Sequence, residues 1–330
     1  WYRSRGLGDV YKRQVYIVVH LAKKDSGMER KASWIVWIFK DGKQGHEAQI
    51  DGLVNALTKL VGLEMYTFSV ERPFTENIIN SFSKFKWKEY PSPDLIIGAG
   101  HSTHLWMLFA RFKYGGKVVV LMKPSLPLFL FDLALIPKHD EPSDLKKVVA
   151  TSGVLNKIQQ SASSLSDRGL ILMGGISKHY HWDTKSVYEQ VNQLVVSNPE
   201  IKWELTTSRR TPKETLNALN DLTLNNLIVT PFEETDSNWV AQRLSIASRV
   251  WVTEDSVSMV YEALSAGAEV GLIPLKAVNQ QNRIVKGIQS LKSEGLTISS
   301  MQLSPTAHKL KEPFNEAKRC AQIIVDRFLS

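Results

Sequence analysis

The segment 249–274, RVWVTEDSVSMVYEALSAGAEVGLIP, admits few folds. Its β-branched run Arg249-Val250-Trp251-Val252-Thr253 is followed by the acidic loop Glu254-Asp255-Ser256. A short helical pattern then sets Val257, Met259, Val260, Ala263 and Leu264 apolar, and Gly267 stops it. Val270-Gly271-Leu272-Ile273 reads as a buried strand closed by Pro274. Strand, loop, helix, glycine cap and strand make one half of a parallel α/β unit, and such sheets bind ligands beyond the carboxyl ends of their strands. The loop 254–258, with Ser258 and Met259, and Glu262 in the helix are therefore expected at a ligand crevice. Glu262 has two readings. As a ligand group, its carboxylate accepts two hydrogen bonds from a vicinal diol, as the acidic residue of nucleotide sites does for ribose; otherwise it is a solvated helix residue.

The chain has 330 residues, more than one hydrophobic core usually serves, so two domains are expected. With 43% hydrophobic and 22% charged residues it falls in the ordinary globular class. One cysteine, Cys320, excludes a disulfide framework and a cysteine metal cluster; its expected place is packing on the last helix. Half of the net charge of +8 lies in residues 1–27, and the rest is too small a surplus to argue for nucleic-acid binding. The opening WYRSRGLGDVYKRQ resembles translated adapter sequence, and Met28 is the expected start. Residues 1–27 are accordingly read as an extension outside the fold, either foreign or disordered. The apolar stretch 126–136 carries Asp132 between prolines and is too broken for a membrane span.

Strand and helix alternate along the rest. A strand at 33–39 leads into Asp41-Gly42-Lys43-Gln44-Gly45-His46 and a helix from about residue 47 to 61. Further strands are read at 64–70, 93–100 and 117–122, with a helix-like stretch after Val70 and a helix opening at His101-Ser102-Thr103-His104. Residues 28–155 are expected to form a first Rossmann-like domain and the serine-rich 156–168 a linker. A second Rossmann-like domain, 169–311, restarts with a strand into Gly174-Gly175-Ile176-Ser177. It continues through a strand ending at Ser208-Arg209-Arg210-Thr211-Pro212. Residues 305–313 read as a connector, and 312–330 as a helix crossing back to the first domain.

Two doubly wound α/β domains facing a cleft, each with a glycine loop after its first strand, describe the GT-B architecture. The motifs DGKQGH (41–46), GAGH (98–101), KPS (123–125), PKHD (137–140), GGISKH (174–179), SRRTP (208–212) and TEDSVSM (253–259) follow in order. In this order they resemble the "elongated mitochondria" fission proteins of plants and their bacterial relatives, a family associated with glycosyltransferase activity. A more distant resemblance links Glu262-Ala263-Leu264-Ser265-Ala266-Gly267 to the donor-site helix of the peptidoglycan N-acetylglucosaminyltransferase. There the matching glutamate holds the uridine ribose, and Asn279-Gln280-Gln281 is similar to its sugar-contacting glutamine pair.

These resemblances imply a glycosyltransferase that takes a UDP-linked sugar to a lipid-linked or envelope-glycan acceptor, with no metal or other cofactor. Gly174, Gly175 and Ser177 would meet the diphosphate through backbone N–H groups, and Ser208 and Arg209 would line the same site. Arg209 would offset the charge of the leaving nucleotide. Glu254, Asp255, Ser256, Ser258, Met259, Glu262, Gln280 and Gln281 complete the expected donor side. Lys43, Gln44, Gly45, Gly100, His101, Ser125, His139 and Asp140 are expected on the acceptor side. His46 reads either as the base that deprotonates the acceptor hydroxyl or as a histidine packing at a helix start. His101 and His104 lie one turn apart but lack a third ligand at suggestive spacing, so a metal site is not expected.

Two alternatives stay open: a nucleotide-sugar 2-epimerase drawing on Asp140, Glu254 and Asp255, and a non-catalytic adaptor that keeps the fold. The expected location is cytoplasmic, with peripheral contact at the inner membrane.

Overall fold

The computed structural model describes residues 33–70, 89–158, 160, 165–298 and 314–329, and the backbone of one further strand, β1 (Tyr16–His20). The helix-like stretch after Val70, the connector 305–313 and most of the expected linker lie outside the described residues. The chain divides into two compact units. The first comprises Trp1–Leu135, Asp144–Val149 and Ala321–Ser330, and the second Ile136–Ser143 and Ala150–Cys320. The last helix, α8 (Glu316–Ile324), thus begins in the second unit and ends in the first.

In the first unit the strands are β2 (Trp34–Lys40), β3 (Leu63–Ser69), β4 (Leu95–Ala99), β5 (Lys117–Leu121), β6 (Leu133–Pro137) and β7 (Val148–Thr151). The sheet runs β1-β3-β2-β4-β5-β6-β7, with β2 parallel to both β3 and β4. Strand order therefore reverses at β2 and β4. Residues 16–20, expected outside the fold, pair antiparallel with β3 at the sheet edge. The apolar stretch 126–136 contains a short 3-10 turn and then β6, a fully buried strand that its prolines concealed. Helix α1 (Gln44–Leu57) buries Ile50, Leu53, Val54 and Leu57, and α2 (His104–Tyr114) buries Trp106, Met107 and Ala110. Helix α1 starts earlier than its sequence pattern indicated, because Gln44, Gly45 and His46 form its first turn rather than a loop.

The second unit is built on β8 (Leu165–Leu172), β10 (Lys202–Thr206), β11 (Leu227–Thr230), β12 (Ala247–Thr253) and β13 (Glu269–Ile273). All are parallel, in the order β11-β10-β8-β12-β13. The reversal here lies between β8 and β12. Strand β8 begins at Leu165, so it takes in the end of the expected linker. The alternation of side chains on a strand divides the core in two. Leu170, Leu172, Val250, Val252, Val270 and Leu272 pack with α6 (Val257–Ala266) on one face. Ile171, Met173, Trp203, Leu205, Trp251 and Ile273 pack with α3 (Thr184–Val196) on the other. Each such aliphatic side chain contributes about 1.5–3 kcal/mol on burial. The remaining elements are β9 (Tyr180–His181) paired with β14 (Lys276–Ala277), and helices α4 (Lys213–Asn220), α5 (Trp239–Ile246) and α7 (Arg283–Ser293). Cys320 is buried on α8, and burial pushes its thiol up to about 12, which makes it a packing residue.

Candidate functional site

In the first unit the site forms where strand order reverses. Asp41 follows β2 and is buried to 1% side-chain exposure. Its two carboxylate oxygens lie 3.1 and 2.9 Å from Nδ1 of His46, on the first turn of α1. The carboxylate also accepts the Lys43 N–H at 3.3 Å. With a carboxylate as partner Nδ1 is the donor, and in the neutral ring Nε2 then carries the lone pair. Nε2 has no hydrogen-bond partner among the described residues.

Gly100, which follows β4, makes the arrangement possible. Its φ of +83° suits glycine, and a Cβ there would lie 2.4 Å from His46 Nδ1 and 2.9 Å from Asp41 Oδ2. Lys43, Gln44, Gly45 and His101 are exposed around this point. His104 is different. It is buried, its Nδ1 lies 3.3 Å from Ser125 Oγ, its ring meets Phe131 edge-on, and burial pushes its pKa down to about 4. It is a neutral packing histidine, and it anchors Ser125 of the expected acceptor side. Met122, after β5, adopts φ 70°, a left-handed conformation uncommon for a side-chain-bearing residue.

In the second unit the glycine loop after β8 is closed on itself. Gly174 N–H donates to Thr253 Oγ1 at 2.7 Å, Gly175 N–H to Asp255 Oδ2 at 2.9 Å, and Ile176 N–H to the Arg210 carbonyl at 3.0 Å. The expectation that Gly174 and Gly175 offer their N–H groups to a diphosphate is thereby corrected, since both already have acceptors. These residues are glycine because the loops touch. A Cβ on Gly174 would lie 2.3 Å from the Asp255 carboxylate, and one on Gly175 2.1 Å from the Arg210 backbone.

Ser208 Oγ donates to the Gly174 carbonyl at 2.7 Å, and Ser177 Oγ accepts the N–H groups of His179 and Tyr180. Asp255 is fully buried and pairs with Arg210 Nη1 at 2.8 Å, while its Oδ1 has no donor among the described residues. Glu254, expected to face a ligand, is likewise turned inward. It pairs with Lys292 Nζ at 2.5 Å and accepts the Leu275 N–H at 3.1 Å. Ser256 is buried at the start of α6.

The two arginines of SRRTP part ways. Arg210 ties the loops together through Asp255 and the carbonyls of Gly175 and Ile176. Arg209 is exposed, lies 5.2 Å from the ring centre of Phe232, and makes no ion pair among the described residues. On α6, Ser258 is exposed and Glu262, one turn on, is part-buried, whereas Met259 packs against the core. Glu262 is part-buried with no hydrogen bond or ion pair among the described residues. Burial raises its pKa to about 6 against the opposing charge of Lys157. Gln280 and Gln281 are exposed just before α7, and Gln280 accepts from Gln289 at 2.8 Å.

His139 and Asp140, expected on the acceptor side with the first domain, belong to the second unit. Asp140 accepts from Arg283 Nη1 of α7 at 2.7 Å, and burial lowers the pKa of His139. The structure thus adds Asp41 and Arg210 to the candidate residues. Both stand within the motifs read from sequence, five residues before His46 and one after Arg209. Among the described residues no group of three or more His, Cys, Asp or Glu side chains could hold a metal ion.

The mitochondrial fission ELM1 family matches residues 44–328, nearly the whole described chain. The chain belongs to that family. Protein RP120 of Rickettsia prowazekii (strain Madrid E) is 23% identical over 352 aligned positions, covering 88% of this chain and 97% of its own. Among solved structures, a Listeria monocytogenes protein provisionally assigned as a UDP-N-acetylglucosamine 2-epimerase superposes with a TM-score of 0.56 at 14% identity, covering 89% of this chain and 95% of its own. The UDP-GlcNAc 2-epimerase of Neisseria meningitidis bound to UDP-GlcNAc gives 0.51 at 13%, covering 88% and 98%. Such likenesses establish the fold, two Rossmann-like units of the GT-B type, and leave the chemistry of this family member to its own residues. No helix among the described residues is long and apolar enough to cross a membrane.

Proposed function

We propose that this member of the ELM1 family is a glycosyltransferase that moves a sugar from a UDP-linked donor to a hydroxyl of a lipid-linked or envelope-glycan acceptor. The observation that carries the reading is the Asp41–His46 pair where the first sheet reverses, with Nε2 of the imidazole left without a partner among the described residues. In the reaction Nε2 takes the proton of the acceptor hydroxyl as the oxygen attacks the anomeric carbon. The bond from that carbon to the diphosphate oxygen breaks, and the nucleoside diphosphate departs with the pair of electrons. The buried Asp41 carboxylate stabilises the imidazolium that forms.

On the donor side, Glu262 has both oxygens available for the ribose diol, with Ser258 and Met259 one turn before it on the same helix. Arg209 supplies the positive charge that the leaving diphosphate requires, and Gln280 and Gln281 would contact the sugar. The glycine loop serves as the rigid floor of this site through its ties to Asp255 and Arg210.

A 2-epimerase needs a group in the site to take and return the proton on C2. Each carboxylate that reading draws on is already engaged: Asp140 with Arg283, Glu254 with Lys292 and Asp255 with Arg210. These pairings support reading the chain as a transferase before an epimerase.

Thermal unfolding of the protein and its Glu262→Ala variant against a panel of nucleoside diphosphates and their sugars tests the donor site. A uridine ligand at about 100 times its Kd adds roughly 2.7 kcal/mol to the native protein and much less to the variant. Uridine diphosphate release that depends on an added acceptor supports transfer. Release without acceptor, accompanied by the C2 epimer, overturns it in favour of the epimerase, and no shift with any nucleotide favours the adaptor.

A further inference from the structure

Helix α2 carries apolar side chains beyond those it buries. Trp106, Met107 and Ala110 are buried. On the same helix Leu105 and Phe112 are exposed, with the part-buried Leu108 and Phe109 between them. Leu105 is 40% exposed and Phe112 91% exposed. The neighbouring 3-10 turn Leu128–Leu130 adds Phe129 at 73%, and Leu145 adds 49%. Hydrogen bonds join these segments into one surface of the first unit: Arg111 Nη1 donates to the Leu130 carbonyl at 2.9 Å, and Lys147 Nζ to the carbonyls of Phe129 and Phe131 at 3.4 and 3.0 Å.

The rim is cationic. Arg111, Lys113, Lys117 and Lys147 border the apolar residues, and the nearby Asp132 is held by Arg111 and Lys117. Lys113 Nζ lies over the Phe109 ring, 5.9 Å from its centre.

We propose that this face of α2 and the turn at 128–130 docks the protein on an anionic lipid bilayer. Phe112 and Phe129 enter the boundary between headgroups and acyl chains, and the lysines and arginine meet lipid phosphates. A single aromatic pair without charge would bind any apolar partner. Projecting phenylalanines on a cationic rim fit a surface that is apolar at depth and negative at the level of the headgroups.

The test is co-sedimentation of the full chain with vesicles of one part phosphatidylglycerol to two parts phosphatidylcholine, against vesicles of phosphatidylcholine alone. The protein pellets with the anionic vesicles, and less so as salt is raised. The double variant Phe112→Ser/Phe129→Ser loses at least about tenfold in apparent affinity while its melting temperature is unchanged, because neither ring is packed in the core. Lys113→Glu gives a smaller loss, confined to anionic vesicles. Failure of the native protein to pellet with anionic vesicles overturns the proposal, as does equal pelleting of the double variant. A dimer in size-exclusion chromatography that Phe112→Ser dissolves, without lipid binding, also overturns it and assigns the face to a second copy of the chain.

Discussion

Both parallel sheets set an aspartate against a glycine where strand order reverses, and the two aspartates have opposite uses. In the first unit Asp41 sets both carboxylate oxygens against one ring nitrogen of His46, and the other ring nitrogen has no partner among the described residues. In the second unit Asp255 gives Oδ2 to the Gly175 amide and Arg210, both parts of the protein's own loops, while Oδ1 has no donor among the described residues. A similar glycine–carboxylate contact thus orients an imidazole in one unit and ties two loops together in the other. The difference lies in what else reaches the carboxylate: a titratable ring on a helix start, or a guanidinium and an amide from adjoining loops.

The strongest way to sharpen this contrast is His46→Ala. If His46 is the proposed base, the change lowers the transfer rate about 10²- to 10⁴-fold in a steady-state assay and leaves the nucleotide-induced rise in melting temperature intact, because the proposed donor residues lie in the other unit. A variant that loses both would place His46 in folding rather than in catalysis.

Glycine substitutions probe the same contrast through stability. Gly175→Ala sets a methyl against the Arg210 backbone and costs at least about 3 kcal/mol in denaturant unfolding. Gly45→Ala, in the first turn of α1 with nothing within 4 Å, is neutral or stabilising by up to about 1 kcal/mol. Equal costs at the two positions would mean that the loop contacts of the second unit carry little strain.

Acid separates the units by a third route. The folded pKa of His104 lies below the value for an exposed histidine, so the unfolded chain takes up its proton first as pH falls. Stability of the first unit is complete above about pH 6.5 and is lost toward pH 4, on the order of 2–3 kcal/mol from this group. His104→Leu flattens the profile over that window, whatever its effect on absolute stability.

The smallest effect runs the other way. Glu262 ionises later in the folded state than in the unfolded one, so stability is lost as pH rises from about 4.5 through about 6. Glu262→Gln recovers about 1 kcal/mol above pH 6, a value reduced for screening of a partly exposed group, and nothing below pH 4. The same substitution weakens nucleotide binding, which would mark Glu262 as a residue retained for a ligand at a cost in stability.

Periodicity made the strands and helices of both units legible, because a strand buried on both faces must be almost continuously apolar. The segment 249–274 became β12, α6 and β13 with Gly267 in the left-handed cap. It failed where prolines interrupted β6 and where β8 opens with the polar Leu165-Ser166-Asp167-Arg168, since hydrogen bonding to neighbouring strands overrides a weak local pattern. The site was legible as motifs and illegible as contacts. DGKQGH and SRRTP each contained the deciding residue, yet sequence gave no reason to prefer Arg210 over Arg209 as the loop's tie or to see that Asp41 holds His46.

The order of residues alone therefore determined the fold class, the family and the loops that gather at the carboxyl ends of the strands, because these depend on spacing along the chain. Which amides are still free for a ligand, which carboxylates are already paired and which aromatic rings remain uncovered were decided only by the tertiary structure. A hydrogen bond satisfied by a residue 80 positions away in sequence leaves no trace in local pattern.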